Sequence, residues 1–328
     1  MQALHIHAGP KALAHIHAHG LRPEHVGVIP AAAGGPKGLI LGPLDRFIFG
    51  EWLTQSQQPV DLVGASIGAW RMSTACLNDP VAAFERLEHD YIHQHYEPLP
   101  GNKRVTAMQV SEAFGQSLQA FYGGRVDQAL RHPRYRLHIV TSRGRHILHR
   151  EHPLATPLGY AGAYLSNAVS RRALGGWLER VVFSAQGAAL PFDTQDFRTR
   201  TVGLTEGNFM PALQASCSIP FALKAVHDIP GAPTGAYWDG GITDYHLHLN
   251  WTAPTQGPEG SIVLAPNPEW VKTLPNGKLP DRKDFMTYDR DLAGRVKVWN
   301  AAASAAQQMA DEFSQWLNKP EITRIQDL

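Results

Sequence analysis

Cysteine is nearly absent from this chain. Cys76 and Cys217 are the only two in 328 residues. A disulfide framework is therefore excluded, and a reducing, cytoplasmic setting is the expectation. Charge imbalance is missing as well. Thirty Lys and Arg meet 29 Asp and Glu, for a net +1 with 17 histidines left out. Nothing in that balance marks a nucleic-acid binder or strong attraction to anionic membranes. No uncharged apolar run approaches the length of a bilayer span. The first residues, M-Q-A-L-H-I-H-A-G-P, lack the basic start and apolar stretch of a signal peptide. Internal repeats and low-complexity tracts are absent too.

What is present is enough apolar material for a large core. Hydrophobic residues make up 43% and charged residues 18%, which excludes a disordered chain. Residues 1–25 form a histidine-rich segment with His5, His7, His15, His17, His19 and His25. A metal site and a plain surface segment are the two readings of it. Residues 26–328 read as one domain in which strands and helices alternate. Strands are expected at 26–31, 60–63, 136–141, 180–184, 236–238 and 261–265. Helices are expected at 39–53, 69–77, 80–96, 106–122, 160–175 and 206–215. Loops are expected at 97–102, 149–159 and 266–285, the last proline-rich and long enough for a lid. Residues 289–317 carry apolar side chains at alternating spacings of four and three. That is a coiled-coil seam, but too short for a stable zipper, so packing against its own domain is expected. The alternation as a whole indicates an α/β fold with a largely parallel central sheet.

The sharpest signal is V-D-L-V-G-A-S-I-G-A-W, residues 60–70. A short apolar strand runs into Gly64-x-Ser66-x-Gly68, and a helix follows. Glycines on both sides let the chain turn tightly and leave the serine at the tip. Its hydroxyl then faces a cleft and its backbone lies at a helix N-terminus, which suits a nucleophile. A tight turn with a serine cap would give the same pattern.

Upstream, strand 26–31 opens into A-A-G-G-P-K-G, residues 32–38. The spacing fits neither a dinucleotide fingerprint nor a phosphate-cradling P-loop. It does fit an oxyanion hole formed by the N–H groups of Gly34, Gly35 and Lys37, with Gly38 completing the loop. Pro36 has no N–H to give. One right-handed βαβ unit would bring this turn and the Ser66 turn to the same carboxyl edge of the sheet.

Downstream, A-Y-W-D-G-G, residues 236–241, ends an apolar strand in Asp239, Gly240 and Gly241. An aspartate there, with glycines leaving room around it, is a candidate base; an Asx turn is the plainer reading. The small residues of A-S-C-S-I-P-F, 215–221, would let backbone pack closely beside it.

These motifs in this order resemble the patatin-like phospholipases, over roughly residues 26–241. The resemblance implies a patatin-like three-layer α/β/α fold. It implies Ser66 as nucleophile, Asp239 as base, and an oxyanion hole from Gly34, Gly35 and the neighbourhood of Lys37. The implied activity is hydrolysis of carboxylic esters, lipid or phospholipid acyl esters foremost, through an acyl-enzyme. No cofactor, metal or nucleic acid is implied. The implied partner is an ester or lipid substrate, with transient contact to a membrane or lipid aggregate. A non-lipid carboxylesterase or an acyltransferase would use the same dyad. Three rivals use other chemistry or none: a Ser–Asp–His triad with His246 or His248, a metallohydrolase built on Asp239, Asp244, His246 and His248, and an inactive binding module.

Overall fold

The strands richest in uninterrupted apolar sequence lie where both faces are covered. In the computed structural model, which describes residues 1–101, 104–252 and 260–328, the strands are β1 (Leu4–Ala8), β2 (Val28–Ala31), β3 (Val60–Ala65), β4 (Tyr135–Gly144), β5 (Leu178–Ser184), β6 (Thr199–Gly203), β7 (Val226–His227), β8 (Ala236–Asp239), β9 (Ile262–Pro266) and β10 (Ile325–Asp327). All six residues of β3 and all seven of β5 are buried. Burial on both faces is why these strands read as runs rather than as alternation.

The larger sheet has the order β2-β3-β4-β5-β6. The pairs β2–β3, β3–β4 and β5–β6 are parallel; β4–β5 is antiparallel. The protein is thus mixed α/β with a mostly parallel central sheet. β8 joins it antiparallel to β4. Its position follows from the register. β3 occupies one edge of β4 from Tyr135 to Val140, and β5 runs along the other. β8 takes over the β3 edge from Thr141 onward. β3 and β8 therefore run head-on along one edge of β4. Ala65 pairs with Val140, and Asp239 pairs with the next residue, Thr141.

Several expectations change. The histidine-rich start does not stand apart from the domain. It supplies β1 and the helix Pro10–His19, and Ala3, Leu4, Ile6, Ala8, Ala12 and Ile16 are buried in the main core. β9, expected as one more core strand, instead pairs with β1 in a second sheet of order β10-β1-β9. The stretch after the glycine loop is no single α-helix. It is 3₁₀ over Gly35–Leu41, α over Gly42–Phe47 and π over Ile48–Trp52. Residues 149–159 are only partly a loop, because the helix Ala155–Val169 begins inside them. The polar edge strand β6 gave no apolar signal at all. The proline-rich stretch 266–285 is packed rather than loose: Trp270, Leu274 and Asp284 are buried, and Asp284 binds Lys278 and the Trp299 indole N–H. The C-terminal helix divides into Leu292–Ala305 and Gln307–Asn318. Its Trp299, Ala303, Ala306, Ala310 and Phe313 are buried in the protein's own core. Of the expected loop 97–102, Asn102 lies outside the described residues.

Candidate active site

The turn after β3 is sterically demanding. Ser66 sits at φ 56°, ψ −128°, a backbone region that L residues rarely adopt. The helix Ile67–Ala75 begins at once behind it. A side chain on Gly64 would collide with the Ala69 backbone, and one on Gly68 with the carbonyls of Ala31 and Ala32. The glycines of the G-x-S-x-G motif are there because backbone passes where a Cβ would be.

Since β3 and β8 meet head-on, Ser66 and Asp239 meet as well. The Ser66 hydroxyl donates to Asp239 Oδ2 at 2.6 Å. The other carboxylate oxygen, Oδ1, accepts the Gly241 N–H at 2.7 Å. Both side chains are almost enclosed, 5% and 6% exposed. Burial pushes the Asp239 carboxyl up to about 6, with the Ser66 and Gly241 hydrogen bonds pulling the other way. An aspartate with that affinity is charged at neutral pH yet basic enough to take a proton.

The serine-rich segment before β8 holds the backbone. Ser216 Oγ accepts the Ser66 N–H at 3.0 Å and donates to the Val140 carbonyl at 2.7 Å. The Asp239 and Gly240 N–H groups donate to the carbonyls of Ser218 and Ser216. The short helix Gly241–Asp244 then links the dyad to the glycine loop. Its Asp244 is gripped by Arg180 through two bonds of 2.6 Å and by Arg171 at 2.8 Å. The next residue, Tyr245, accepts the Ala33 N–H at 2.9 Å.

The glycine loop lies against the same corner. A Cβ on Gly241 would crowd Ala33, and one on Gly38 would crowd Ile67. Gly34 has φ 155° and Gly35 φ 55°. Their N–H groups have no hydrogen-bond partner among the described residues. The Lys37 N–H differs from expectation. It donates to the Gly34 carbonyl at 3.3 Å, closing the first 3₁₀ turn. The loop's open donors are therefore Gly34 and Gly35.

No histidine hydrogen-bonds to Ser66 or Asp239 among the described residues. His246 and His248 stack on each other, with ring centroids 5.4 Å apart. Asp244, grouped with them as a metal ligand in the sequence, is committed to its arginines. Among the described residues no group of three His, Cys, Asp or Glu side chains is placed to hold a metal ion. A Ser–His–Asp contact does exist elsewhere: His138 bonds Ser184 Oγ and Asp61 Oδ1, each at 3.0 Å. All three are buried, and Arg136 binds Asp61 through both carboxylate oxygens. That trio cross-links β3, β4 and β5 inside the sheet.

Residues the motifs did not reveal surround Asp239. Tyr160 lies edge-on to Trp238, with centroids 5.8 Å apart. Its buried hydroxyl has no partner among the described residues. Burial, and after it the Asp239 charge, hold the Tyr160 phenol and the Cys217 thiol well above their ordinary values. Only an apolar helix stripe, read together with its tertiary neighbours, could have flagged Tyr160.

No protein-family model matches the chain, and no curated protein is recognisably similar to it in sequence. Among the described residues no helix is long and apolar enough to cross a membrane.

Proposed function

We propose that this protein is a serine acyl hydrolase working through a Ser66–Asp239 dyad, in the manner of the patatin-like lipid acyl hydrolases that its motifs resemble. The observation that carries the reading is the 2.6 Å hydrogen bond from a strained serine at a strand–helix turn to a buried aspartate. Asp239 Oδ2 takes the Ser66 proton as Oγ attacks the acyl carbon of an ester. The Gly34 and Gly35 N–H groups, left open by the loop, are the donors for the oxyanion that forms. On collapse the ester C–O bond breaks, and the leaving alkoxide takes the proton back from Asp239. Water then attacks the acyl-enzyme with Asp239 again as base, releasing the carboxylic acid and restoring Ser66. The arrangement β2–loop–helix–β3–elbow, with the aspartate on a strand beside it, supports the patatin-like layering as part of the same proposal. Cys76 and Cys217 are unpaired, which suits a reducing compartment such as the cytoplasm.

The test combines a fluorophosphonate probe with a panel of lipid and simple esters read by mass spectrometry. Wild type is expected to be labelled on Ser66 and to release free acid. Ser66→Ala is expected to do neither while melting as a folded protein. Labelling that survives Ser66→Ala would sink the assignment.

A further inference from the structure

The helix Ala155–Val169 is built inside out. Its buried positions are small: Thr156, Gly159 and Ala163. A side chain on Gly159 would collide with Leu148, and one on Gly162 with the Trp177 ring, so the helix lies close on both. Its large apolar side chains face outward. Leu154, Leu158, Leu165 and Val169 are 72%, 70%, 66% and 86% exposed. With the exposed Ala161 and Ala168 they recur at spacings of three and four, which makes one stripe along the helix. No charged residue occurs between positions 153 and 170. Phe221, also largely exposed, packs edge-on against Tyr160 at the helix's flank nearer the site. Single exposed leucines are ordinary; a contiguous stripe of them marks an interaction site.

The surroundings say what fits there. The chain as a whole is nearly neutral, but this part is not. Between Gly144 and Leu178 the one carboxylate is Glu151, held by Lys224. Arg145 and Arg150 stand before the helix, and Arg171 and Arg172 after it. Arg150 and Arg171 have carboxylate partners in Asp228 and Asp244; Arg145 and Arg172 have no ion-pair partner among the described residues. Arg145 reaches beyond the C-terminal end of the helix, where it donates to the Gly175 carbonyl at 2.6 Å, so the two cations without carboxylate partners, Arg145 and Arg172, lie at that end. An apolar stripe with cations at one end complements an anionic lipid surface, with acyl chains to take the leucines and phosphates to meet the arginines. The helix is also continuous with the site, since Tyr160 on its inner side touches the residue next to Asp239.

We propose that the outward face of helix Ala155–Val169 docks this protein onto an anionic lipid–water interface. The proposal deepens the acyl-hydrolase reading by naming aggregated lipid as the substrate form. It is tested apart from that reading, on Ser66→Ala protein, which leaves the vesicles intact. The protein is sedimented with vesicles of phosphatidylcholine alone or with about a third phosphatidylglycerol. Binding is expected to be severalfold stronger to the anionic vesicles. The double change Leu158→Glu and Leu165→Glu is expected to lower it roughly tenfold or more. In the wild-type background that pair should leave turnover of a soluble ester unchanged. Leu165→Trp gives a second readout, a blue-shifted emission on vesicle addition. Absence of binding, or binding indifferent to both glutamates, overturns the proposal. So does a dimer in sedimentation equilibrium that the two glutamates abolish, since a second copy would then cover the stripe. Vesicle binding without any esterase activity would sink the hydrolase reading and leave the docking surface standing.

Discussion

Ser216 anchors Ser66 from behind, its hydroxyl accepting the Ser66 N–H at 3.0 Å while donating to the Val140 carbonyl. A residue held at φ 56°, ψ −128° stays there only if its surroundings insist. Ser216→Ala leaves a buried N–H and a buried carbonyl without that partner, at an expected cost of about 1–3 kcal/mol. Urea unfolding measures it. Under the proposed chemistry kcat should fall with KM little changed, because Ser66 loses its aim rather than the substrate its pocket. A Ser216→Ala protein as stable as wild type would show that the turn holds itself.

The pH profile reports the base. With the Asp239 carboxyl at about 6, kcat/KM on a soluble ester should be flat above that point. Below it the rate should fall about tenfold per pH unit. Asp239→Asn should be nearly as inactive as Ser66→Ala. His246→Gln and His248→Gln should each keep most activity. A folded histidine variant as dead as Ser66→Ala would make that histidine the base and leave Asp239 orienting it.

Of this site, the sequence displayed the two groups of the proposed dyad and hid their supports. Ser66 and Asp239 are legible because each sits in a five- or six-residue pattern with a local steric reason. The head-on meeting of β3 and β8 is not local: it depends on β8 running antiparallel to β4, which no periodicity encodes. The Ser216 anchor looked like one more small residue, since a serine's partner is chosen by tertiary position. Arg180 and Asp244 are 64 residues apart, so their ion pair leaves no mark on either neighbourhood. β1 and β10 were hidden for a similar reason. They are short, at opposite ends of the chain, and pair with each other rather than with the main sheet, β1 also pairing with β9. The long C-terminal helix was legible in its buried face but not in its break at Ala306.

The same aspartate should cost stability. Burial raises its proton affinity above the unfolded value of 3.8, so between about pH 4 and pH 6 the folded chain holds a proton that the unfolded chain has released. Its contribution to stability therefore falls as pH rises through that window. A rise from 3.8 to about 6 corresponds to about 3 kcal/mol at most at neutral pH. Asp239→Asn keeps the shape without the buried charge. It should unfold at higher urea than wild type at neutral pH, and the gap should close towards about pH 4. A gap that persists there would point to packing rather than charge.

The glycine loop should act on the transition state. Gly35 sits at φ 55°, where valine is strained, so Gly35→Val displaces the loop's N–H groups. The expected loss is about a hundredfold or more in kcat, with a much smaller change in the affinity of a non-reacting substrate analogue. Equal losses in both would mean that the loop only shapes the pocket.

Two strands that share one edge of β4 impose an order on assembly. Ser66 and Asp239 are 173 residues apart, and neither can find the other until β3 and β8 both lie on β4. Closures of that span come late, after the local helices have formed. A chain still emerging during synthesis, or one cut before β8, carries Ser66 with no Asp239 beside it. Reactivity towards a fluorophosphonate should therefore return last in refolding, behind the helical signal. Under the proposed chemistry, Ser66 is disarmed for as long as the fold around it is unfinished.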